Sequence, residues 1–203
     1  MSRFFARIHK QAGWPLEQAR GIELGAGCGV VGLVLHLMGT RHMILTDQPR
    51  LLRLLEHNAA ANGVTTSARG GVGGKRGKQQ KPVAKGAAGS DSKKPNAGCL
   101  SNTLYITDLE WDKPIGDAAI TNEPLNFAVV SDCVYHEDVA PLLVSALKQL
   151  GDVQPEGHDI VFFVGQELRS ELVHETFLQE MLEHFVMYRV PADERADNYL
   201  AFY

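Results

Sequence analysis

The 203-residue sequence predicts an α/β fold: a doubly wound, mostly parallel seven-strand sheet with an antiparallel terminal strand. Three observations support this prediction. Strand-like and helix-like apolar segments alternate over residues 21–62, as in parallel sheets with right-handed crossovers. A glycine-rich turn at residues 25–29 joins the first of these strands to the first helix. Continuous apolar runs at residues 127–130 and 160–164 are expected for central strands that are buried on both faces.

The first half of the chain contains two strand–helix units after an amphipathic N-terminal helix. The helix that follows the glycine turn is apolar nearly all round, so we expect it to be buried on the sheet. The predicted elements are, in order, a helix at residues 4–9, a strand at 21–24, a helix at 30–38, a strand at 42–46 ending at Asp47, and a helix at 48–62 closed by Asn62-Gly63.

The second half continues the alternation and ends in strands. We expect the last two strands to form a hairpin-like pair, with residues 116–126 as a loop. The predicted elements are strands at residues 104–106, 127–130, 160–164, 185–190 and 199–203, with helices at 137–150 and 168–184.

Between the halves lies a segment of a different composition, residues 65–98. It is rich in Gly, Lys, Ala and Ser and nearly lacks large apolar residues, so burial cannot offset the entropy of ordering it. We predict one domain over residues 1–203, with residues 65–98 as a disordered insertion. This insertion carries a net charge of +7, against −11 for the rest of the chain. It lacks interleaved aromatics to stack on bases, so nucleic-acid binding is not favoured.

Composition excludes several classes of protein. No apolar run approaches the ~18 residues of a membrane span, and the N-terminus lacks the features of a secretory signal. The three cysteines, Cys28, Cys99 and Cys133, are widely spaced and form no CxxC pair. We therefore predict neither a disulfide framework nor a metal site, and a cytoplasmic location.

The glycine turn predicts an adenosine ligand. Gly27 to Gly32 match G-x-G-x-x-G, and Asp47 stands 20 residues after Gly27, where a dinucleotide fold places its ribose carboxylate. The pattern alone allows NAD. However, Glu23 adds a carboxylate that a pyrophosphate would repel. Trp111 and Asp132 follow other strands, so an aromatic and an acidic group also collect at the carboxyl edge of the sheet. S-adenosylmethionine, which carries a sulfonium and no phosphate, fits these features better.

Together these motifs resemble a known family. Glu23 to Gly29, Asp47, residues 109–111 and the D-x-x-Y motif of residues 132–135 are similar to the seven-strand protein-lysine methyltransferases of the methyltransferase-like 21 group. The resemblance covers nearly the whole chain except the basic insertion. It implies a Rossmann-like methyltransferase fold and methyl transfer from S-adenosylmethionine to the ε-amine of a lysine in a protein substrate.

The resemblance also implies roles for the cofactor-binding residues. Gly25, Ala26 and Gly27 would wrap the methionine part of the cofactor, with Glu23 beneath the turn, ordering its backbone. Asp47 would accept hydrogen bonds from both ribose hydroxyls. The other two candidates are Trp111, near the adenine or else a core residue capping the sheet edge, and Ser131, whose backbone would contact the adenosine.

Asp132 and Tyr135 are the predicted catalytic pair. The attacking amine must be neutral and aimed along the sulfur–carbon axis, so positioning matters more than a strong base. Asp132 could aim the ε-amine, and the ring of Tyr135 could attract the cationic methylammonium. The alternative for Asp132 is a cap on the next helix. We expect Gln166 and Glu167 to line the substrate channel.

One feature departs from the family, and other functions stay open. Relatives carry an upstream Trp-containing segment over the cofactor. Only 22 residues precede Glu23, and Trp14 is too close to the turn to replace that segment, so we expect the cover to be missing.

A degenerate binding module is one alternative function, and a small-molecule or nucleic-acid methyltransferase is another. The expected partner is a protein of the chaperone or AAA ATPase class, and we expect a monomer with no membrane association.

Overall fold

The computed structural model describes residues 5–6, 14–67, 102–191 and 200–202. The strands in this part of the chain are β1 (Arg20–Leu24), β2 (His42–Asp47), β3 (Thr66–Ser67), β4 (Thr103–Asp108), β5 (Phe127–Ser131), β6 (Val161–Glu167) and β7 (Leu200–Phe202). They form one sheet in the order β3-β4-β2-β1-β5-β6-β7. Every neighbouring pair is parallel except β6 and β7. The predicted mostly parallel sheet with an antiparallel terminal strand is therefore confirmed.

Helices cover both faces of this sheet. They are α1 (Val30–Leu37), α2 (Leu52–Ala61), α3 (Ala118–Thr121), α4 (Val139–Asp152) and α5 (Glu171–Leu182), with a short 3₁₀ turn at Leu16–Gln18. Alternate residues of the strands point to opposite faces, which divides the core in two. One half packs α1 and α2 against the sheet, and the other packs α3, α4 and α5 against the opposite face. This is the doubly wound arrangement.

The predicted strand at residues 185–190 is wrong. These residues form no strand, and β7 pairs instead with β6, through Gly165 with Phe202 and Glu167 with Leu200. The hairpin-like pair of the last two strands is therefore also wrong. The apolar residues of this segment have another role. Phe185 and Met187 pack against the core, whereas Val186 is 82% exposed, so an extended segment lies on the core without a ladder partner.

Two short elements fall where loops were predicted. Thr66 and Ser67 pair with Leu104 and Tyr105 as an edge strand, although they were assigned to the disordered insertion. Residues 118–121 form α3, whose first backbone N–H groups are capped by the Asp117 side chain at 2.8 Å from the Ala119 nitrogen. Both elements are too short to produce a periodic pattern.

Some predictions fall on residues outside the described ranges. Of the predicted N-terminal helix only Phe5 and Ala6 are described, and both are helical. Residues 68–101, with Cys99 and most of the basic insertion, are not described. Trp14 packs on Phe127, with ring centroids 4.9 Å apart, at the amino end of β5 and therefore away from the glycine turn.

The described residues lack two features. No helix there is long and apolar enough to cross a membrane. No group of three or more His, Cys, Asp or Glu side chains there is arranged to hold a metal ion.

Candidate active site

A cavity of about 510 Å³ opens at the carboxyl edge of the parallel strands, a size typical of ligand sites. The carboxyl ends of β1, β2, β4 and β5 meet at this edge, so the segments that follow these strands form the walls. The lining includes the predicted site residues Gly25, Gly27, Asp47, Trp111, Asp132 and Tyr135, together with Gln48, Arg50, Leu51, Leu109, Glu110, Asp112, Cys133, Val139 and Leu142.

The glycine turn forms the floor of the cavity. Gly25, Gly27 and Gly29 all have positive φ, at 60°, 56° and 80°, which favours glycine. A Cβ on Gly25 would lie 2.7 Å from the Cys133 sulfur, so protein packing requires that glycine. A Cβ on Gly27 would meet no protein atom within 4 Å; it would point into the cavity and occupy ligand space.

Glu23 lies beneath this turn, as the sequence suggested. Its side chain is 2% exposed, and its Oε2 accepts a hydrogen bond from the Gly32 nitrogen at 2.8 Å in the first turn of α1. Burial raises the pKa of the Glu23 carboxyl to about 8, and the charge of nearby Asp47 acts in the same direction, while the hydrogen bond from Gly32 lowers it. Glu23 therefore links β1 to α1 and does not line the cavity.

Asp47, at the end of β2, is oriented by two backbone amides. Its Oδ2 accepts from the Gly27 nitrogen at 2.7 Å, and its Oδ1 accepts from the Gln48 nitrogen at 2.7 Å. Each carboxylate oxygen can accept a further hydrogen bond, so the outer lone pairs remain available toward the cavity. Asp47 thus fixes the glycine turn and can also bind a diol.

One wall of the cavity is aromatic and acidic. The indole of Trp111 is half-buried, packs against the core, and approaches within 3.1 Å of the position that a Cβ on Gly25 would take. Glu110 and Asp112 flank it in the sequence and line the cavity, as does Arg50. The lining therefore carries more acidic than basic groups, which suits a cationic ligand with an aromatic ring.

Asp132 follows β5 in a strained conformation. With φ of 56°, it is the one non-glycine residue with positive φ in the described ranges. Its nitrogen donates to the Gly165 oxygen at 2.7 Å, and its Oδ1 accepts from the Glu167 nitrogen at 3.3 Å. It lies well before α4, which begins at Val139, so the alternative of a helix cap is wrong.

Two further side chains hold the Asp132 carboxylate. The amide of Gln166 donates to Oδ1 at 3.3 Å, and the guanidinium of Arg169 donates to Oδ2 at 2.7 Å. Gln166 is buried and also bridges the backbone of Val134, with bonds of 3.1 and 2.7 Å. Gln166 and Glu167 end β6, and together with Arg169 they line a small cleft beside Asp132.

Tyr135 separates the two recesses of the site. Its side chain is 69% exposed and lines both the large cavity and the small cleft beside Asp132. Cys133 lies on the inner side of the same segment, where burial raises the pKa of its thiol to about 12. Cys133 is therefore a packing residue next to Gly25.

The structure brings most of the predicted site residues together, with three exceptions and one omission. Glu23, Ala26 and Ser131 do not line the cavity; Ala26 is buried, and its nitrogen donates to the Thr46 oxygen at 2.9 Å. The omission is Arg169. It is 37 residues from its partner Asp132, and no spacing rule in the sequence connects the two.

The cavity has the features that S-adenosylmethionine needs. The space in front of Gly27 is open, Asp47 carries acceptors of the kind that bind a diol, and Trp111 is an aromatic residue in the lining. The excess of acidic groups suits a sulfonium and an ammonium. A pyrophosphate would meet these same carboxylates, so the site fits this cofactor better than a dinucleotide.

Comparison with known proteins agrees with this geometry. EEF1A lysine methyltransferase 3 of Xenopus tropicalis is 26% identical over 164 residues, covering 81% of this chain and 54% of that protein. The chain thus spans about half the length of this curated relative. Among solved structures, the ribosomal protein L11 methylase of Lactobacillus delbrueckii subsp. bulgaricus is similar with a TM-score of 0.51 and 13% identity, over 98% of this chain and 74% of the other.

A second solved structure, the mitomycin 7-O-methyltransferase MmcR, is similar with a TM-score of 0.52 and 10% identity, over 91% of this chain and 47% of the other. These two likenesses show the fold. The family is shown by a model described as lysine methyltransferase, which matches residues 2–70 and 92–184. The chain therefore belongs to the lysine methyltransferase family.

Proposed function

We propose that this chain binds S-adenosylmethionine in the carboxyl-edge cavity and transfers its methyl group to the ε-amine of a lysine in a protein substrate. The observation that carries the proposal is the left-handed backbone of Asp132 at the rim of that cavity. Strained residues of this kind concentrate at active sites, where the surrounding structure holds them in place. Membership of the lysine methyltransferase family supports the reaction type.

The chain's part in cofactor binding follows from its geometry. S-adenosylmethionine supplies an electrophilic methyl group on a positively charged sulfur. We assign the methionine part to the backbone of Gly25 and Gly27, with Glu23 and Ala26 supporting the turn from below. Asp47 would accept from the ribose hydroxyls through its outer lone pairs, and hydrogen bonds to a charged group contribute about 1.5–3 kcal/mol each. Trp111 would contact the adenine, and the backbone of Ser131 would lie beside the adenosine.

Asp132 and Tyr135 would handle the lysine. A lysine amine has a reference pKa near 10.4, so its ammonium must release a proton to water before the nitrogen can attack. Asp132 Oδ2 keeps one lone pair beside its bond to Arg169, and this lone pair can accept an N–H bond and aim the nitrogen. As the C–N bond forms and the S–C bond breaks, the positive charge moves to the nitrogen. The exposed face of Tyr135 can stabilise it there.

The substrate is proposed to be a protein. The name of the Xenopus tropicalis relative makes EEF1A the first protein to test, and the D-x-x-Y resemblance adds proteins of the chaperone or AAA ATPase class. The acidic lining of the cavity supports a cationic lysine side chain as the group that enters. We further propose a monomer, and a cytoplasmic location that the free thiols of Cys28 and Cys133 support.

The test is transfer of tritium from S-[methyl-³H]adenosylmethionine to proteins of a eukaryotic cell lysate by the purified 203-residue chain. Labelled bands should contain methyl-lysine after acid hydrolysis. Asp132→Asn should lower transfer at least a hundredfold while keeping the dissociation constant of the cofactor within threefold. Asp138→Asn is the matched control, because Asp138 is exposed and its side chain forms no cap on α4.

Two outcomes would contradict the proposal. Cofactor binding without labelled protein would favour a binding module with a methyltransferase fold. Label in nucleic acid or in small molecules, with none in protein, would show a different substrate class.

A further inference from the structure

We propose that Arg169 is a positioning residue that offsets part of the negative charge around Asp132. With this charge offset, the ammonium of a bound lysine can lose its proton and react as a neutral amine. This inference rests on the proposed function. Its basis is an ion network of three side chains, Asp132, Glu167 and Arg169, at the shared rim of the cavity and the small cleft. We call it the rim triad.

The geometry of the rim triad is set by neighbouring strand ends. Asp132 follows β5, Glu167 ends β6, and Arg169 lies in the turn before α5. The Arg169 Nη2 lies 2.7 Å from Asp132 Oδ2 and 2.6 Å from Glu167 Oε2, and its Nε donates to Glu167 Oε2 at 2.7 Å. One guanidinium therefore bridges two carboxylates. Arg169 acts on the lysine through Asp132, since Asp132 is the residue assigned to the amine.

The triad is accessible to a substrate. The side chains of Arg169, Glu167 and Asp132 are 57%, 44% and 36% exposed. Isolated exposed ion pairs contribute little to stability, so folding alone does not account for a bridge at the rim of this cavity. The hydrogen bonds to both carboxylates raise the pKa of Arg169 above its usual value, so Arg169 stays charged throughout the working range.

Arg169 sets the net charge of the rim triad. Two carboxylates and one guanidinium leave the triad with one net negative charge, which is enough to attract a lysine ammonium. Without Arg169 the triad would carry two negative charges, and these would stabilise the ammonium against losing its proton. A charge about 4–6 Å away shifts a pKa by roughly 1–3 units. Because the triad is partly exposed, we expect a shift at the low end, about one pH unit.

The surrounding groups leave this balance in place. On the side of α5, His174 lines the small cleft, and burial lowers its pKa, so it is neutral at pH 7. On the cavity side, Tyr135 lines both recesses. The other charged residues that line the cavity are Asp47, Arg50, Glu110 and Asp112, and the ion pair that the structure describes for Asp132 is with Arg169. Among the described residues that line the two recesses, Arg169 is therefore the cation next to Asp132.

The experiment compares Arg169→Gln, Arg169→Lys and Glu167→Gln with the unaltered chain, using as probe the lysate protein that the unaltered chain labels. Removing the cation should lower KM for this protein at least threefold and lower kcat about tenfold at pH 7.5. The rise of kcat with pH should move about one unit to the alkaline side, because that profile reports ionisation in the bound complex. Arg169→Lys should restore the profile to within half a unit.

Glu167→Gln gives a test of opposite sign. It leaves the triad neutral, so KM should rise and the profile should move to the acid side. Arg53→Gln, on the exposed face of α2, controls for loss of one positive charge and should change neither constant. Calorimetry in the presence of S-adenosylhomocysteine measures binding of the probe protein without turnover. At pH 7.5, Arg169→Gln should bind the probe protein more tightly than the unaltered chain does.

The possible failures are distinguishable. No label with the unaltered chain refutes the proposed function and, with it, this inference. Label with identical pH profiles in Arg169→Gln and Glu167→Gln refutes the inference alone. A higher kcat in Arg169→Gln would also refute it, because Arg169 would then be an obstacle that the substrate displaces. If Arg169→Gln fails to fold, Glu167→Gln and Arg169→Lys still decide.

Discussion

Replacing Glu23 by Gln should change how the stability of this protein depends on pH. Glu23 is 2% exposed, and burial raises the pKa of its carboxyl from 4.5 to about 8. Between these two values the unfolded chain has released a proton that the folded chain keeps. Stability therefore falls with rising pH throughout this window, by about 1.4 kcal/mol per pH unit. Glu23→Gln removes this dependence.

The magnitude can be measured by urea unfolding at pH 6 and pH 8. The free energy of unfolding of the unaltered chain should fall by about 2–3 kcal/mol more than that of Glu23→Gln over these two units. The Gln oxygen can still accept the hydrogen bond from Gly32. His36, His42 and His174 are present in both proteins, so their titration cancels in the comparison. Parallel pH profiles would refute the account of Glu23 as a buried carboxyl that is neutral at pH 7.

Two further predictions concern glycines. Gly27→Ala and Gly63→Ala should each lower stability by about 1–2 kcal/mol, because both residues have positive φ and a Cβ on either meets no protein atom within 4 Å. However, only Gly27 of the two lines the cavity. Calorimetry should therefore show that the dissociation constant of S-adenosylmethionine rises at least tenfold in Gly27→Ala and does not rise in Gly63→Ala. Equal dissociation constants in the two variants would show that Gly27 is not part of the cofactor site. Gly21→Ala should lower stability by about 3 kcal/mol in urea unfolding, since its Cβ would lie 2.1 Å from the Phe127 ring. The double variant Gly21→Ala/Phe127→Leu should lose less stability than the sum of the losses in the two single variants. Strictly additive losses would contradict the contact between these two positions.

Hydrophobic pattern predicted the central part of the fold well, for a physical reason. β1, β2 and β5 are buried except at one end residue of β2 and one of β5, and β6 is buried at three of its seven residues. A parallel strand that is buried on both faces is mostly apolar. The pattern failed at the edge of the sheet. Residues 185–190 are mostly apolar, and Phe185 and Met187 pack on the core. An apolar run alone cannot distinguish a packed extended segment from a strand with a hydrogen-bonded partner.

In the candidate site, too, some features could be predicted from the sequence and others could not. Gly27, Asp47 and Asp132 follow strands, so their place at the carboxyl edge could be predicted from the order of elements. The hydrogen bonds that orient them could not. The bond from the Gly27 nitrogen to Asp47 crosses 20 residues, and the bond from Arg169 to Asp132 crosses 37. Such contacts depend on the register between strands, which a single sequence does not encode as a local spacing.

The central claim is that Asp132 directs methyl transfer to a protein lysine. The most direct measurement is the rate of tritium transfer to lysate protein by the unaltered chain, Asp132→Asn and Asp138→Asn, with cofactor affinity measured on the same preparations. The account predicts methyl-lysine with the unaltered chain and Asp138→Asn, and at least a hundredfold less with Asp132→Asn at unchanged affinity. Equal transfer by Asp132→Asn would contradict it.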